Sequence, residues 1–183
     1  MNNYRALFLD RDGVINADHG YVGSRERFSF LPGVFSFLRE ARDLGFRLAI
    51  LSNQSGVARG YFSEDAYRHV TGHMLDKLRR EGIDIDMVLA CFDHIKGVRP
   101  EYTRQSFWRK PQPGMVLEAM RKMRADPARS AFIGDKLSDM QAAERACIRR
   151  RLWLTQEDVL AAEGIDVVRG YDEALALLRV PFA

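Results

Sequence analysis

The sequence predicts an α/β fold: one domain with a mostly parallel central sheet, helices on both faces and no large cap domain. Three observations predict it. Short apolar runs alternate with stretches of helical periodicity through most of the chain, as successive βαβ units do. The 183 residues, 46% hydrophobic and 29% charged, suit one globular domain that can bury a full core without disulfides or a structural metal. No repeat, low-complexity tract, linker or large insertion after the early strands interrupts the alternation. The expected arrangement is Rossmann-like, and in such sheets ligands gather at the carboxyl ends of the strands.

Residues 5–9 read as a short buried strand. Residues 33–44 follow as a helix, with Val34, Phe37, Leu38, Ala41 and Leu44 at helical spacing and Gly45 as the stop. A second buried strand covers 47–51 and a loop covers 53–60. Ser63, Glu64 and Asp65 open a helix that runs to Glu81 and is closed by Gly82. Residues 87–91 form a third strand. Residues 96–113 are polar and rich in Pro and Gly, a loop of the length that usually carries function. A helix from Pro113 to about Arg124, a strand at 130–134 and a helix at 138–146 come next. Weaker strands at 151–154 and 166–168, with helices near 156–162 and 171–178, complete the chain.

Composition excludes several functions. Lys and Arg number 28 against 25 Asp and Glu, and a net charge of +3 is too weak to announce a nucleic-acid binder, though it suits an anionic small molecule. Arg149, Arg150 and Arg151 precede an apolar strand without interleaved aromatics, so they read as a solvated strand entry. His69 and His73 share a helix face but lack the Glu of a zinc-protease motif. Cys91 and Cys147 sit among apolar neighbours, with Cys147 read as a small buried hydrophobe, and no disulfide scaffold is expected. No apolar run reaches the ~18 residues of a membrane span, and Met1 to Arg5 do not open a secretory signal. The expectation is a soluble cytoplasmic monomer with no nucleic-acid or membrane partner.

The strand ends carry the chemistry. The first ends in Asp10-Arg11-Asp12-Gly13, two carboxylates that would repel unless a cation or proton sits between them. The second ends in Ser52-Asn53-Gln54-Ser55-Gly56, whose hydroxyl and amide groups suit phosphate oxygens. The long loop holds Arg109-Lys110-Pro111, and the fourth strand ends in Gly134-Asp135-Lys136, with Asp139 one turn on. Any single Asp after a strand is most simply a helix cap. Four polar sites on successive strand ends are not explained that way.

In order and over residues 6–140, these residues resemble the four motifs of the haloacid dehalogenase-like phosphohydrolases. Asp18-His19-Gly20-Tyr21-Val22 and Gly56-Val57-Ala58-Arg59-Gly60 extend the resemblance, over nearly the whole chain, to the D-glycero-D-manno-heptose 1,7-bisphosphate phosphatases. The neighbouring histidinol-phosphate phosphatases share the core motifs. The resemblance implies Asp10 as nucleophile, Asp12 as general acid and base, and Ser52 and Lys110 as the grip on the phosphoryl group. It implies Mg²⁺ held by Asp10, Asp135 and the backbone carbonyl of Asp12, an oxygen-only set that suits this ion. Asp139 is expected to orient Lys110 or a metal-bound water. Asp18, His19, Tyr21, Asn53, Arg59, Arg109 and Lys136 are the candidates for contact with a small phosphorylated sugar, with Arg109 on a second phosphate. Residues 92–112 would cover the site. A histidinol-phosphate or other phosphomonoester phosphatase, or a catalytically silent phosphosugar-binding module, are the alternatives.

One stretch departs from the family. Many members carry a zinc clamp of Cys-x-His and then Cys-x-Cys ahead of the Arg-Lys-Pro. Here the stretches are Cys91-Phe92-Asp93-His94 and Ser106-Phe107-Trp108-Arg109, short of four thiolate or imidazole ligands. No structural zinc is expected, and Phe107 and Trp108 are expected to pack the loop instead.

Overall fold

The computed structural model describes residues 4–160 and 162–182. Its elements are β1 (Ala6–Leu9), α1 (Val34–Asp43), β2 (Arg47–Asn53), α2 (Glu64–Arg80), β3 (Met87–Cys91), α3 (Gly114–Met123), β4 (Ala131–Gly134), α4 (Leu137–Arg145), β5 (Arg150–Leu154), β6 (Ile165–Val168) and α5 (Tyr171–Arg179). The six strands form one sheet in the order β3-β2-β1-β4-β5-β6, with every pairing parallel.

The alternation of side chains along β1 explains why its sequence is apolar throughout. Leu7 and Leu9 face the layer of α1, α2 and α5, where they meet Val34, Phe37, Leu38, Val70, Met74 and Leu178. Ala6 and Phe8 face the opposite layer of α3 and α4, where they meet Met115, Val116, Ala119 and Met140. Both faces are covered, so the strand has no polar side to show. Ser63 caps α2 by accepting the Ala66 N–H at 3.1 Å, as its position before two acids suggests.

One expected helix is absent. Residues 155–160 and Ala162 are not helical, and Ala161 lies outside the described residues. Arg169, just past β6, takes the carbonyls of Thr155 and Glu157 at 3.0 and 2.5 Å and the Asp158 carboxylate at 3.1 Å. Those bonds tie the segment to the sheet end, and Leu160 is left in solvent. Cys147 also departs from expectation: it is exposed, because it holds the left-handed backbone (φ 57°) that ends α4.

Candidate active site

Strand order reverses at β1, so the carboxyl ends of β1 and β4 flank the crevice where such sheets bind ligands. Asp10 follows β1 directly, and its N–H donates to Ile133 of β4 at 3.1 Å. Asp135 follows β4. Gly13, at φ 82°, turns the chain so closely over Asp135 that a Cβ there would overlap its carboxylate. Gly134 does the same for Asp139, whose side chain would occupy the place of a Cβ.

Lys110 reaches into this crevice from the long loop and is buried. Its ammonium lies 2.9 Å from Asp10 Oδ1 and 2.6 Å from Asp139 Oδ1, and it donates to the Leu51 carbonyl at 2.7 Å. All three of its hydrogens are thereby committed. The other oxygen of Asp139 accepts the Lys136 N–H at 3.1 Å, which fixes the carboxylate at the start of α4. Asn53 holds the backbone of Lys110 from both sides, donating to its carbonyl at 2.8 Å and accepting its N–H at 3.1 Å. Its amide therefore positions the loop at the wall of the pocket, which Asn53 also lines.

Asp10, Asp135 and Asp139 each offer a carboxylate oxygen within 4.8 Å of the others. Burial pushes the Asp10 carboxyl up, and Asp139 adds to that against the opposing pull of Lys110. Burial, then the neighbouring Asp10, pushes Asp135 up to about 7. Burial alone would lower Lys110, but Asp10 and Asp139 outweigh it and hold the ammonium above the usual lysine value. Lys110 alone faces Asp10 and Asp139, and Lys136, half exposed, reaches Asp135 only at 3.5 Å, so the three carboxylates outnumber their cations. Oδ1 of Asp135 and Oδ1 of Asp10 are also buried without a hydrogen bond of good geometry, although Lys110 pairs electrostatically with the latter. Orphaned, oxygen-only ligands with surplus negative charge fit a hard divalent cation.

Asp12 is held by three neighbours that the sequence reading did not single out. Arg11, fully buried, donates to Asp12 Oδ1 from Nε and Nη2 at 3.2 and 2.9 Å. Asn16 donates to the same oxygen at 2.9 Å, and Gln54 to Oδ2 at 2.7 Å. Gln54 also donates to Ser52 Oγ at 2.7 Å, which leaves the hydroxyl hydrogen of Ser52 free. A buried arginine next to an acid has the same sequence signature as an exposed one, so only the fold reveals this clamp.

A cavity of about 550 Å³ joins these groups, lined by Asp10, Asp12, Asp18, Tyr21, Arg109, Lys110 and Lys136 among others. Asp18 accepts from Lys136 at 2.9 Å and pins the flap after β1 across the pocket. Tyr21 meets Tyr61 edge-on, with ring centres 4.5 Å apart. His19 is exposed and pairs with Ser29 at 3.3 Å, away from the cavity lining. Arg59 faces His94 at 3.2 Å. A larger hollow of about 1130 Å³ lies beyond Asp135 and Lys136 against Trp153 and Tyr171, but it includes neither Asp10 nor Lys110.

The covering loop is not packed by aromatics in the expected way: Phe107 is 58% exposed and Trp108 38%. Its inner residues do the holding. Phe92 stands edge-on to both Tyr67 and Tyr102, the Tyr102 hydroxyl donates to Glu64, and Arg104 pairs with Asp93 at 3.0 Å. Cys91 and Ser106 meet at 3.8 Å. Among the described residues, Asp10, Asp135 and Asp139 are the one group of three or more His, Cys, Asp or Glu side chains close enough to share an ion.

A buried carboxylate paired with a buried lysine at the end of the central strand suits a hydrolytic site, and the comparisons agree with that class. The family profile of the haloacid dehalogenase-like hydrolases matches residues 4–146, and the chain belongs to that family. Within it, the chain is a phosphomonoester hydrolase. It is 41% identical over 159 residues to the D-glycero-β-D-manno-heptose-1,7-bisphosphate 7-phosphatase of Yersinia pestis, covering 87% of this chain and 85% of that relative. A solved HAD-like phosphatase from Mesorhizobium loti superposes with a TM-score of 0.88 at 38% identity, over 96% of this chain and 86% of that one. The D,D-heptose 1,7-bisphosphate phosphatase of B. bronchiseptica, solved with magnesium and phosphate, superposes with a TM-score of 0.81 at 26% identity, over 95% and 97%.

Proposed function

We propose that this protein removes the 7-phosphate from D-glycero-β-D-manno-heptose 1,7-bisphosphate, through an aspartyl-phosphate on Asp10, in the synthesis of nucleotide-activated heptose. The observation that carries the chemistry is the Lys110 ammonium seated between Asp10 and Asp139, with Asp12 clamped beside them. The β-heptose bisphosphate is favoured because the Yersinia pestis relative is named for it.

The difficulty is an anion attacking an anion: two unit charges about 4 Å apart repel by about 4 kcal/mol at an effective dielectric near 20. Lys110 offsets this, exchanging its contact with Asp10 for a phosphoryl oxygen as Asp10 takes the group. The free hydroxyl hydrogen of Ser52 donates to a second oxygen. Asp10 forms its bond to phosphorus as the bond to the sugar oxygen breaks, and Asp12 gives that oxygen its proton. Water then attacks phosphorus, Asp12 takes the proton, and the Asp10–phosphorus bond breaks to release phosphate. Arg11, Asn16 and Gln54 hold Asp12 at the angle both transfers need. Asp10, Asp135 and the carbonyl of Asp12 would hold Mg²⁺, which when bound neutralises charge on the phosphoryl oxygens. Asp139 positions Lys110. Residues 92–112 cover the substrate, and no further domain is needed.

The test is phosphate release with Mg²⁺ from both anomers of the heptose bisphosphate, beside histidinol phosphate and fructose 1,6-bisphosphate, with Asp10→Asn as blank. Strong selectivity for the β-heptose is expected. Turnover spread evenly over the panel would sink the substrate assignment while leaving the chemistry.

A further inference from the structure

Two aromatic side chains from outside the motif segments are hydrogen-bonded to the two turns that carry candidate cation ligands. Trp153 stands in β5 opposite Gly134 of β4, the residue before Asp135. Its indole Nε1–H donates to the backbone carbonyl of Asp135 at 3.0 Å. Tyr171 opens α5, and its hydroxyl donates to the Val14 carbonyl at 2.6 Å, across 157 positions of chain. Val14 is fully buried and sits in the turn after Asp12, which the Ile15 N–H closes on the Arg11 carbonyl at 2.7 Å.

The two bonds act on one contact. Gly13 lies so close over Asp135 that a Cβ on it would fall 2.3 Å from Oδ2 of the carboxylate. Asp135 is therefore enclosed between the Gly13 turn, which Tyr171 anchors, and its own backbone, which Trp153 anchors. A buried carbonyl that loses its donor moves toward another donor or toward water, and its turn moves with it. Both rings are themselves held. Tyr171 stacks on Phe37 with centres 4.7 Å apart and planes at 22°, and Trp153 packs against the apolar layer of α3 and α4. They line the hollow beyond Asp135 together with Gly13, and neither lines the cavity that holds Asp10 and Lys110. The brace thus stands behind the cation ligands, out of reach of the substrate.

We propose that Trp153 and Tyr171 are positioning residues that brace the Asp12 turn against Asp135, and so set how strongly the site prefers Mg²⁺ to a larger divalent cation. Mg²⁺ demands oxygens at about 2.0–2.1 Å in a near-ideal octahedron, whereas Ca²⁺ accepts about 2.3–2.6 Å and irregular geometry. Ligands held at a fixed separation serve the smaller ion. Ligands allowed to drift penalise it more than the larger one. The proposal rests on the cation reading above, in which Asp135 and the Asp12 carbonyl are two of the three protein ligands.

The test is calorimetric titration of the metal-free protein with MgCl₂ and, separately, with CaCl₂, which needs no substrate and no turnover. Trp153→Phe removes the indole N–H and Tyr171→Phe removes one hydroxyl, and each leaves an aromatic ring in place. Each should weaken Mg²⁺ about tenfold and Ca²⁺ less than about threefold, so the ratio of the two affinities falls. Equal weakening of both ions, or an unchanged ratio beside a lower urea midpoint, would mean a packing role only and overturn the brace. Tyr171→Phe changes a single heavy atom, so it carries the test if Trp153→Phe does not fold. A wild type that binds neither ion would overturn the cation reading itself. A wild type that binds Mg²⁺, matched by both variants, would overturn the brace alone.

Discussion

The catalytic crevice and the covering loop meet at adjacent residues, Lys110 and Arg109, yet they are built on opposite principles. In the crevice the central charges are multiply held: Lys110, buried, by Asp10, Asp139 and a carbonyl, and Asp12 by Arg11, Asn16 and Gln54. In the loop Arg109 makes one long contact, and His94 meets Arg59 of the turn after β2 at 3.2 Å. Groups that do the bond making are fixed before substrate arrives, since misplaced reacting groups lose orders of magnitude in rate. Loosely held donors such as Arg109 keep their hydrogen-bonding capacity.

The contrast breaks most sharply at Asp10. Asp10→Asn should lower phosphate release by about four orders of magnitude, because without the nucleophile the two-step path is closed. A variant retaining a tenth of the wild-type rate would show that phosphate is transferred without Asp10.

Lys110→Met comes next. It removes the ammonium and leaves Asp10 and Asp139 facing each other in a dry crevice, with 1–8% side-chain exposure across the group. Breaking a buried pair from one side costs about 3–5 kcal/mol, visible in urea melts, and the rate should fall about a thousandfold. The double variant Lys110→Met/Asp139→Asn should recover part of the stability and none of the rate.

Asp135 provides a pH test. Its carboxyl is raised to about 7, above the ordinary carboxylate value of about 4 that it has when unfolded. Between these values the folded chain keeps a proton that the unfolded chain has released. The contribution to stability is therefore full below about pH 4 and is lost as pH rises through about 7. In metal-free protein, denaturant melts should show wild type losing stability across this range relative to Asp135→Asn, and Mg²⁺ should cancel the loss. Parallel curves for the two proteins without metal would remove the argument that these carboxylates are strained for want of a cation.

The smallest effect is expected in the loop. Arg104→Ala breaks a pair whose arginine is 64% exposed, so stability should change by about 1 kcal/mol or less. KM for the bisphosphate should rise about twofold with kcat unchanged, as a looser loop requires. A collapse of kcat would mean that the loop also supports Lys110.

The sequence by itself determined the sheet, four of its crossovers and the placement of Asp10, Asp12, Lys110 and Asp135 at strand ends. Apolar runs covered on both faces and motif residues just past them are local patterns, and local patterns are legible. Tertiary structure alone decided the rest. The helical pattern at 156–162 lost to Arg169, which drew its carbonyls to the end of β6. Asn53 holds the Lys110 backbone at the pocket wall, Arg11 is a buried clamp on Asp12, and Arg59 meets His94 at 3.2 Å. Each outcome depends on which polar groups meet across 11 to 57 positions of chain, or on burial. A hydrogen bond's partner is chosen by the folded geometry that removes water from it, and no residue carries that choice in its own identity.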